Sequence, residues 1–194
     1  FRLRSFCRPW HEHPEIELTW IIKGSGLRYV GDSVEPFEDG DFCLLGSRVP
    51  HAWISCPPAK GGAHSLVLHM DPSRLGAEFL ALPEFTRIGE LLERSARGLH
   101  FGKVSRPRFF DDIRTAHSPM QRLSTTLEVL ESLAAAKSVR QLSLSAWPTP
   151  CMGRRATDRL GKVMSWIASG GTPNLRQEDA ARTAGLTPGA FSRF

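Results

Sequence analysis

The chain has 194 residues, 41% hydrophobic and 23% charged, with a net charge of +5, room for one ordinary domain and a smaller one at roughly 100–200 residues per domain. No apolar run approaches the ~20 residues that cross a bilayer, and the opening FRLRSFCRPW lacks the apolar stretch of a secretory signal. A cytoplasmic protein with no membrane partner is expected, with residues preceding Phe1 either removed or not resolved. Charge runs from −1 over residues 1–70 through +2 over 71–153 to +4 over 154–194, and such a basic end on a nearly neutral body suits a partner bearing phosphates.

From Phe1 to Met70 the pattern is of short strands separated by turns. EIELTWII is rich in β-formers and KGSG ends it; LRYV, GDFCLLG, HAWIS and HSLVLHM follow at close spacing, which predicts a sandwich or barrel rather than a parallel sheet with helical crossovers. After Met70 the period changes. Phe85, Ile88, Leu91, Leu92 and Leu99 fall on one side of a predicted helix with Pro83 near its start and Gly98 near its end. A second helix, MQRLSTTLEVLESLAAA, places Met120, Leu123, Leu127, Leu130 and Leu133 on one stripe that needs a partner, either the barrel, which periodicity alone favours, or a second copy of the helix. SLSAWPTPCMG reads as a linker. Beyond it, RATDRLGKVMSWIAS is helical, with Leu160, Val163, Met164 and Ile167 as its apolar face. A further helix is expected from about Arg176 to Ala184, capped near Asn174. Gly185 supplies a left-handed turn, Thr187 caps the next helix and Pro188 opens it, while Leu186 and Phe191 stand at the positions of a hydrophobic staple. Two short helices joined by a tight glycine turn have the form of a helix-turn-helix. The four cysteines, Cys7, Cys43, Cys56 and Cys151, form no close pair, so they read as reduced thiols rather than a zinc knuckle or redox motif.

The chemistry concentrates in HEHPEIELTWIIKG. Side chains alternate along a strand, so His11, His13, Glu15, Glu17 and Thr19 line one face, and Ile16, Leu18, Trp20 and Ile22 the other. An apolar core would leave the ionisable groups unsatisfied at several kcal/mol each on an order-of-magnitude scale. The polar face is therefore wet, paired or liganded. His51 and Trp53 share a parity on a later strand, which sets an aromatic ring beside the histidines, either as core or as a surface on which a sugar or aromatic ring stacks.

The pattern His11, His13, Glu17, Gly24 resembles the first motif of the cupin superfamily. GDFCLLGSRVPHAW resembles the second in part through Gly40, Pro50 and His51, with Ser55 where that motif ends in asparagine. Together with FLALPEFTRIGELLERSARGLHF and EDAARTAGLTPGAFSRF, in this order and spacing, nearly the whole chain resembles a bacterial AraC-type transcription regulator with an N-terminal cupin sensor. The resemblance implies an α+β fold: a cupin-type jelly-roll β-barrel over residues 1–70, a helical dimerisation and signal-transmission segment over 71–140, a linker over 141–155, and the first helix-turn-helix of a DNA-binding domain over 156–194. That family has two such units, and this chain stops at Phe194 inside the reading helix of the first. The implied function is regulation of transcription without catalysis. The partners are promoter DNA, a small-molecule effector such as a sugar or aromatic compound, and a second copy joined through the Met120 to Leu133 stripe.

Residue by residue, the resemblance puts the effector pocket at His11, His13, Glu17 and His51, to which strand parity adds Trp53. It puts DNA contacts at Gly189, Ser192 and Arg193, with Phe191 turned inward. No cofactor is required, although His11, His13, Glu17 and His51 form a ligand set that suits zinc, iron, manganese or nickel. The rival class is a metal-dependent cupin enzyme, dioxygenase-like, built on the same four residues, for which the C-terminal helices have no use.

Overall fold

The computed structural model describes residues 2–3, 5–6, 9–55, 62–105, 107–147, 154–168 and 176–193. Cys7, Cys56, Cys151, Asn174, Phe194 and residues 148–153 of the expected linker lie outside this set. Nine strands are described: β1 (Arg2–Leu3), β2 (Ile16–Lys23), β3 (Gly26–Val30), β4 (Ser33–Phe37), β5 (Asp41–Leu45), β6 (His51–Ile54), β7 (Ala63–Met70), β8 (Leu99–Lys103) and β9 (Arg140–Gln141). The helices are α1 (Ala77–Leu80), α2 (Thr86–Ser95), α3 (Phe109–Thr115), α4 (Pro119–Ala134), α5 (Arg154–Ala168), α6 (Gln177–Thr183) and α7 (Pro188–Ser192). Strands precede most helices and every strand pair is antiparallel, as an α+β organisation requires.

The strands form two sheets, one in the order β1-β7-β2-β5-β8-β9 and the other β4-β3-β6. Ile21, Cys43 and Leu45 of the first sheet and Val30, Phe37 and Trp53 of the second belong to one buried cluster, so the sheets enclose a common interior. β2 lies between β5 and β7 and is buried on both faces. Its even-numbered Ile16, Leu18 and Trp20 pack outward with Phe42 and Leu44 of β5 against Phe85, Ile88 and Leu91 of the α2 region. Its odd-numbered Glu17 and Thr19 face inward. That alternation matches the expectation from Ile16 onward, with helices covering the apolar side, but β2 begins only there: Pro14 lacks the N–H a ladder needs, so His11, His13 and Glu15 precede the strand instead of continuing its polar face. Each fully buried aliphatic side chain on this face contributes roughly 1.5–3 kcal/mol.

α4 packs across α2 and α3. Leu130 is buried at 2% exposure, and Leu127 and Leu133 lie against the same cluster, whereas Met120 is 71% exposed. Most of the stripe thus serves the chain's own core. Trp20 anchors α3 by ring stacking on Phe110, centroids 6.2 Å apart, and its indole N–H donates to the Val104 carbonyl at 2.8 Å. Leu99 stands in β8 rather than at the end of the preceding helix, because Gly98, at φ 63°, turns the chain out of α2. On the far side of the smaller sheet, Leu160 and Met164 of α5 cover Trp10, Tyr29, Ala52 and Ile54.

α6 and α7 follow the expected grammar. Gly185 at φ 66° joins them, the Thr187 hydroxyl accepts the Ala190 N–H at 3.3 Å, Pro188 opens α7, and the fully buried Ala181 lets the two pack closely. Gln177 at the start of α6 donates to the Ser192 hydroxyl at 2.5 Å. Among the described residues no helix is long and apolar enough to cross a membrane.

Candidate functional site

His11 lies before β2 and forms an isolated antiparallel bridge with His51 at the start of β6, its N–H donating to the His51 carbonyl at 3.1 Å and its carbonyl accepting at 2.9 Å. The turn before β6 is held from two sides. Gly46 N–H donates to Ser95 O at 2.9 Å, and Arg48 N–H to His13 O at 2.8 Å. Arg48 takes φ 59°, a strained conformation for a residue with a side chain. This turn aims the His51 ring into the barrel and sets Val49 O at 2.8 Å from its Nδ1.

The orientation of the three rings follows one rule. His11 Nδ1 meets Pro9 O at 2.8 Å, His13 Nδ1 meets Glu15 O at 3.0 Å, and His51 Nδ1 meets Val49 O. A carbonyl can only accept, so in each neutral ring Nδ1 carries the proton and Nε2 the lone pair. One donor atom from each of His11, His13, Glu17 and His51 lies within 4.8 Å of all the others. Glu17 Oε2 is 3.2 Å from His13 Nε2 and 3.4 Å from His51 Nε2, the latter without hydrogen-bond geometry. Lone pairs facing a carboxylate repel unless a proton or a cation stands between them. Imidazoles that give one nitrogen to a backbone carbonyl and converge with the other have the arrangement of metal-binding histidines, and a borderline nitrogen and oxygen set fits zinc, nickel, iron or manganese. The four residues therefore fit a divalent cation.

Titration points the same way. The bond to Glu17 raises the His13 pKa against the opposing effect of burial. Burial works to raise that of Glu17, but the facing imidazoles of His13, His51 and His69 outweigh it and hold the carboxyl well below its ordinary range. Thr19 fixes the other oxygen, its hydroxyl donating to Glu17 Oε1 at 2.6 Å. His69 was not expected from the sequence. Its Nε2 sits 2.8 Å from Glu17 Oε2, its ring is 4.6 Å from that of His13, and 38% of its side chain is exposed at the edge of the cluster. Only the pairing of Glu17 with His69 across β2 and β7 reveals it.

Trp53 is buried in the interior cluster, edge-on to His51 with centroids 5.6 Å apart, and its indole N–H has no hydrogen-bond partner among the described residues. The packed ring walls His51, and the N–H is its open polar group. Gly189, Ser192 and Arg193 are exposed at α7, and Phe191 is half-buried. They lie in a different part of the fold from the histidines.

No protein-family model matches the chain, and no curated protein matches it. Among solved structures it is similar to two of ToxT from Vibrio cholerae, one bound to an unsaturated fatty acid and one to a naphthalenyl butenoic acid. Both are 11% identical, with TM-scores of 0.39 and 0.40, over 100% of this chain and 87% and 91% of theirs. An oxalate decarboxylase is 19% identical over 75% of this chain and 34% of its own, with a TM-score of 0.28. At such values the likeness is one of broad outline and identifies neither a family nor an activity.

Proposed function

We propose that this protein is a DNA-binding transcription regulator whose barrel senses a small-molecule effector at His11, His13, Glu17 and His51. The observation that supports the reading is the presence in one chain of an enclosed polar site and, after it, two short helices with a tight glycine turn and exposed Gly189, Ser192 and Arg193. Arginine and serine on an exposed helix suit phosphate oxygens and base edges. A homodimer belongs to the same reading, with its contacts left to the exposed Met120 end of α4, since Leu127, Leu130 and Leu133 are already packed.

His11, His13, His51 and Glu17 would hold a divalent cation, which when bound supplies a Lewis-acidic point for oxygen atoms of an effector. The chain's own residues do the rest. Three backbone carbonyls set the imidazole tautomers, Thr19 and His69 fix the Glu17 carboxylate, and Trp53 closes the wall beside His51. The same donor set favours a second reading, a metal-dependent cupin enzyme of dioxygenase type.

DNA binding separates the two. At fixed salt the intact protein, with both of the units the resemblance implies, should bind a fragment of its own promoter more tightly than random duplex, with an affinity that falls steeply as salt rises because cations of the 154–194 segment displace counterions. Equal affinity for both duplexes would remove the regulator reading and leave the enzyme.

A further inference from the structure

The chain leaving α4 runs along the barrel. Arg140 and Gln141 form β9 beside His100 and Leu99, Leu142 is buried in the interior cluster, and Trp147 packs against that cluster. Leu142 N–H donates to Gly98 O at 2.9 Å, Ser143 N–H to Arg97 O at 2.8 Å and Trp147 N–H to Ala96 O at 2.9 Å. Arg97 returns the contact by donating to Leu144 O. Asp32, in the hairpin turn between β3 and β4, collects three donors from the same stretch: Ser143 Oγ at 2.8 Å, Leu144 N–H at 2.9 Å and Ser145 N–H at 3.2 Å. Gly31 beside it takes φ 56°, and a Cβ there would collide with Trp147 and Ser143. The turn is built to be covered.

One ion pair ties this stretch to the barrel interior. Arg140 grips Glu35 with both terminal nitrogens, at 2.6 and 2.7 Å. Glu35 Oε2 is shared with Arg28 Nη2 at 2.8 Å. Arg28, 2% exposed, pairs with Asp41, which also faces His100 Nε2 at 3.3 Å and accepts the Cys43 thiol at 3.2 Å. Cys43 is the cross-strand partner of Thr19, and Thr19 holds Glu17. A buried guanidinium needs its anions. When Asp41 is drawn off, Arg28 has Glu35 left, and a Glu35 turned inward gives up its two-point grip on Arg140.

The geometry points to residues 139–147 as a latch keyed to the barrel interior: the series Asp41, Arg28, Glu35, Arg140 holds it shut, and a change inside the barrel opens it, freeing the chain that leads to α5. This goes beyond the regulator reading and stands or falls independently of it. The latch is the two-state element that coupling between distant sites requires.

Amide hydrogen exchange on the whole protein tests it. Asp41→Asn alters the interior end of the series, whose bonds are to Arg28, Cys43 and His100. It should speed exchange across 140–147 by about three- to fivefold while leaving the amides of β2 at wild-type rates. Glu35→Gln, cutting the series next to the latch, should do the same. If Glu35→Gln speeds exchange and Asp41→Asn does not, the pair is a surface contact and the proposal fails. It fails equally if Asp41→Asn speeds β2 and the latch alike, with His100→Gln, which removes a second partner of Asp41, giving that same uniform loosening. Should Asp41→Asn not fold, His100→Gln takes its place with the same two outcomes.

Discussion

At one end of the barrel interior the Glu17 carboxylate faces imidazole nitrogens whose lone pairs point toward it; at the other, Asp41 and Glu35 meet the guanidiniums of Arg28 and Arg140. The same strand face, β5, serves both, since Cys43 adjoins Thr19 and donates to Asp41. The difference is in how burial is compensated. Arginine stays charged at any ordinary pH, so the Arg28 network carries its own cations, although His100 Nε2 beside Asp41 has no hydrogen-bond partner among the described residues and Asp41, Cys43 and His100 bring donor atoms within 4.8 Å of one another. The histidine cluster must recruit its positive charge, as a proton on His13 or as a bound ion. Two polar clusters inside one barrel thus divide into one that carries its own cations and one that must take its positive charge up.

The comparison breaks first if Arg28 is dispensable. Arg28→Met should strand Asp41 as a buried anion and cost about 3–5 kcal/mol of stability, the range for removing one partner of a buried pair, as measured by urea denaturation. A loss below about 1 kcal/mol would mean that the network is not what holds that end together.

At the other end the expected effect depends on the ion. With Zn²⁺ or Ni²⁺ at about a hundred times its dissociation constant, the wild-type protein should gain roughly 2.7 kcal/mol, seen as a rise in Tm. Glu17→Gln should abolish the gain, because an uncharged amide is a poor metal ligand and leaves the imidazoles without their anion. An equal gain in wild type and Glu17→Gln would place the ion elsewhere.

His69→Gln is the finer probe. His69 touches Glu17 and, unlike the four convergent residues, stands at the edge of the cluster. Its loss should weaken metal binding about 10–100-fold, as for other groups that orient a ligand. Unchanged affinity in a titration would show that Thr19 alone positions the carboxylate.

How much of this the sequence reveals depends on how local each signal is. The set His11, His13 and Glu17 is legible as a motif, and its imidazoles and carboxylate do converge with His51, but not along one strand: β2 begins at Ile16, residues 12–15 lie outside any strand, and His11 is placed by its own bridge to His51. His69 is invisible because it meets Glu17 through a strand register spanning 52 residues. Arg28, Glu35 and Asp41 form no local motif, and nothing in the pattern says that Arg140 returns to them from over a hundred residues away. β8 hides behind Gly98, where a helical period ends and a strand begins, and β9 is too short to have a period. Segment 140–147 carries the composition of a linker, yet its amides are bonded to the barrel. Leucine spacing on α4 was legible as a stripe, but spacing does not name its partner, and α2, α3 and the sheet take most of it.

The smallest effect expected is the pH dependence of the latch. The Ser143 hydroxyl, followed by the Leu144 amide, holds Asp32 below its ordinary value against slight burial. Arg140 foremost, with Arg28, does the same for Glu35 against desolvation. A carboxyl with a depressed folded pKa contributes stability that is fully present above its unfolded pKa, near 4, and is lost as pH falls through the lower folded value. Exchange protection over 140–147, corrected for intrinsic rates, should therefore hold level from about pH 8 to pH 5 and decline only below about pH 4. Because Glu35 and Arg140 are partly exposed, the ion-pair share of that decline should be at most about 1 kcal/mol, or roughly fivefold in rate. In the Asp32→Asn, Glu35→Gln double variant the latch should already be loose at pH 7 and show no further step in acid. Protection lost between pH 5 and pH 8 instead would take the control away from the carboxylates.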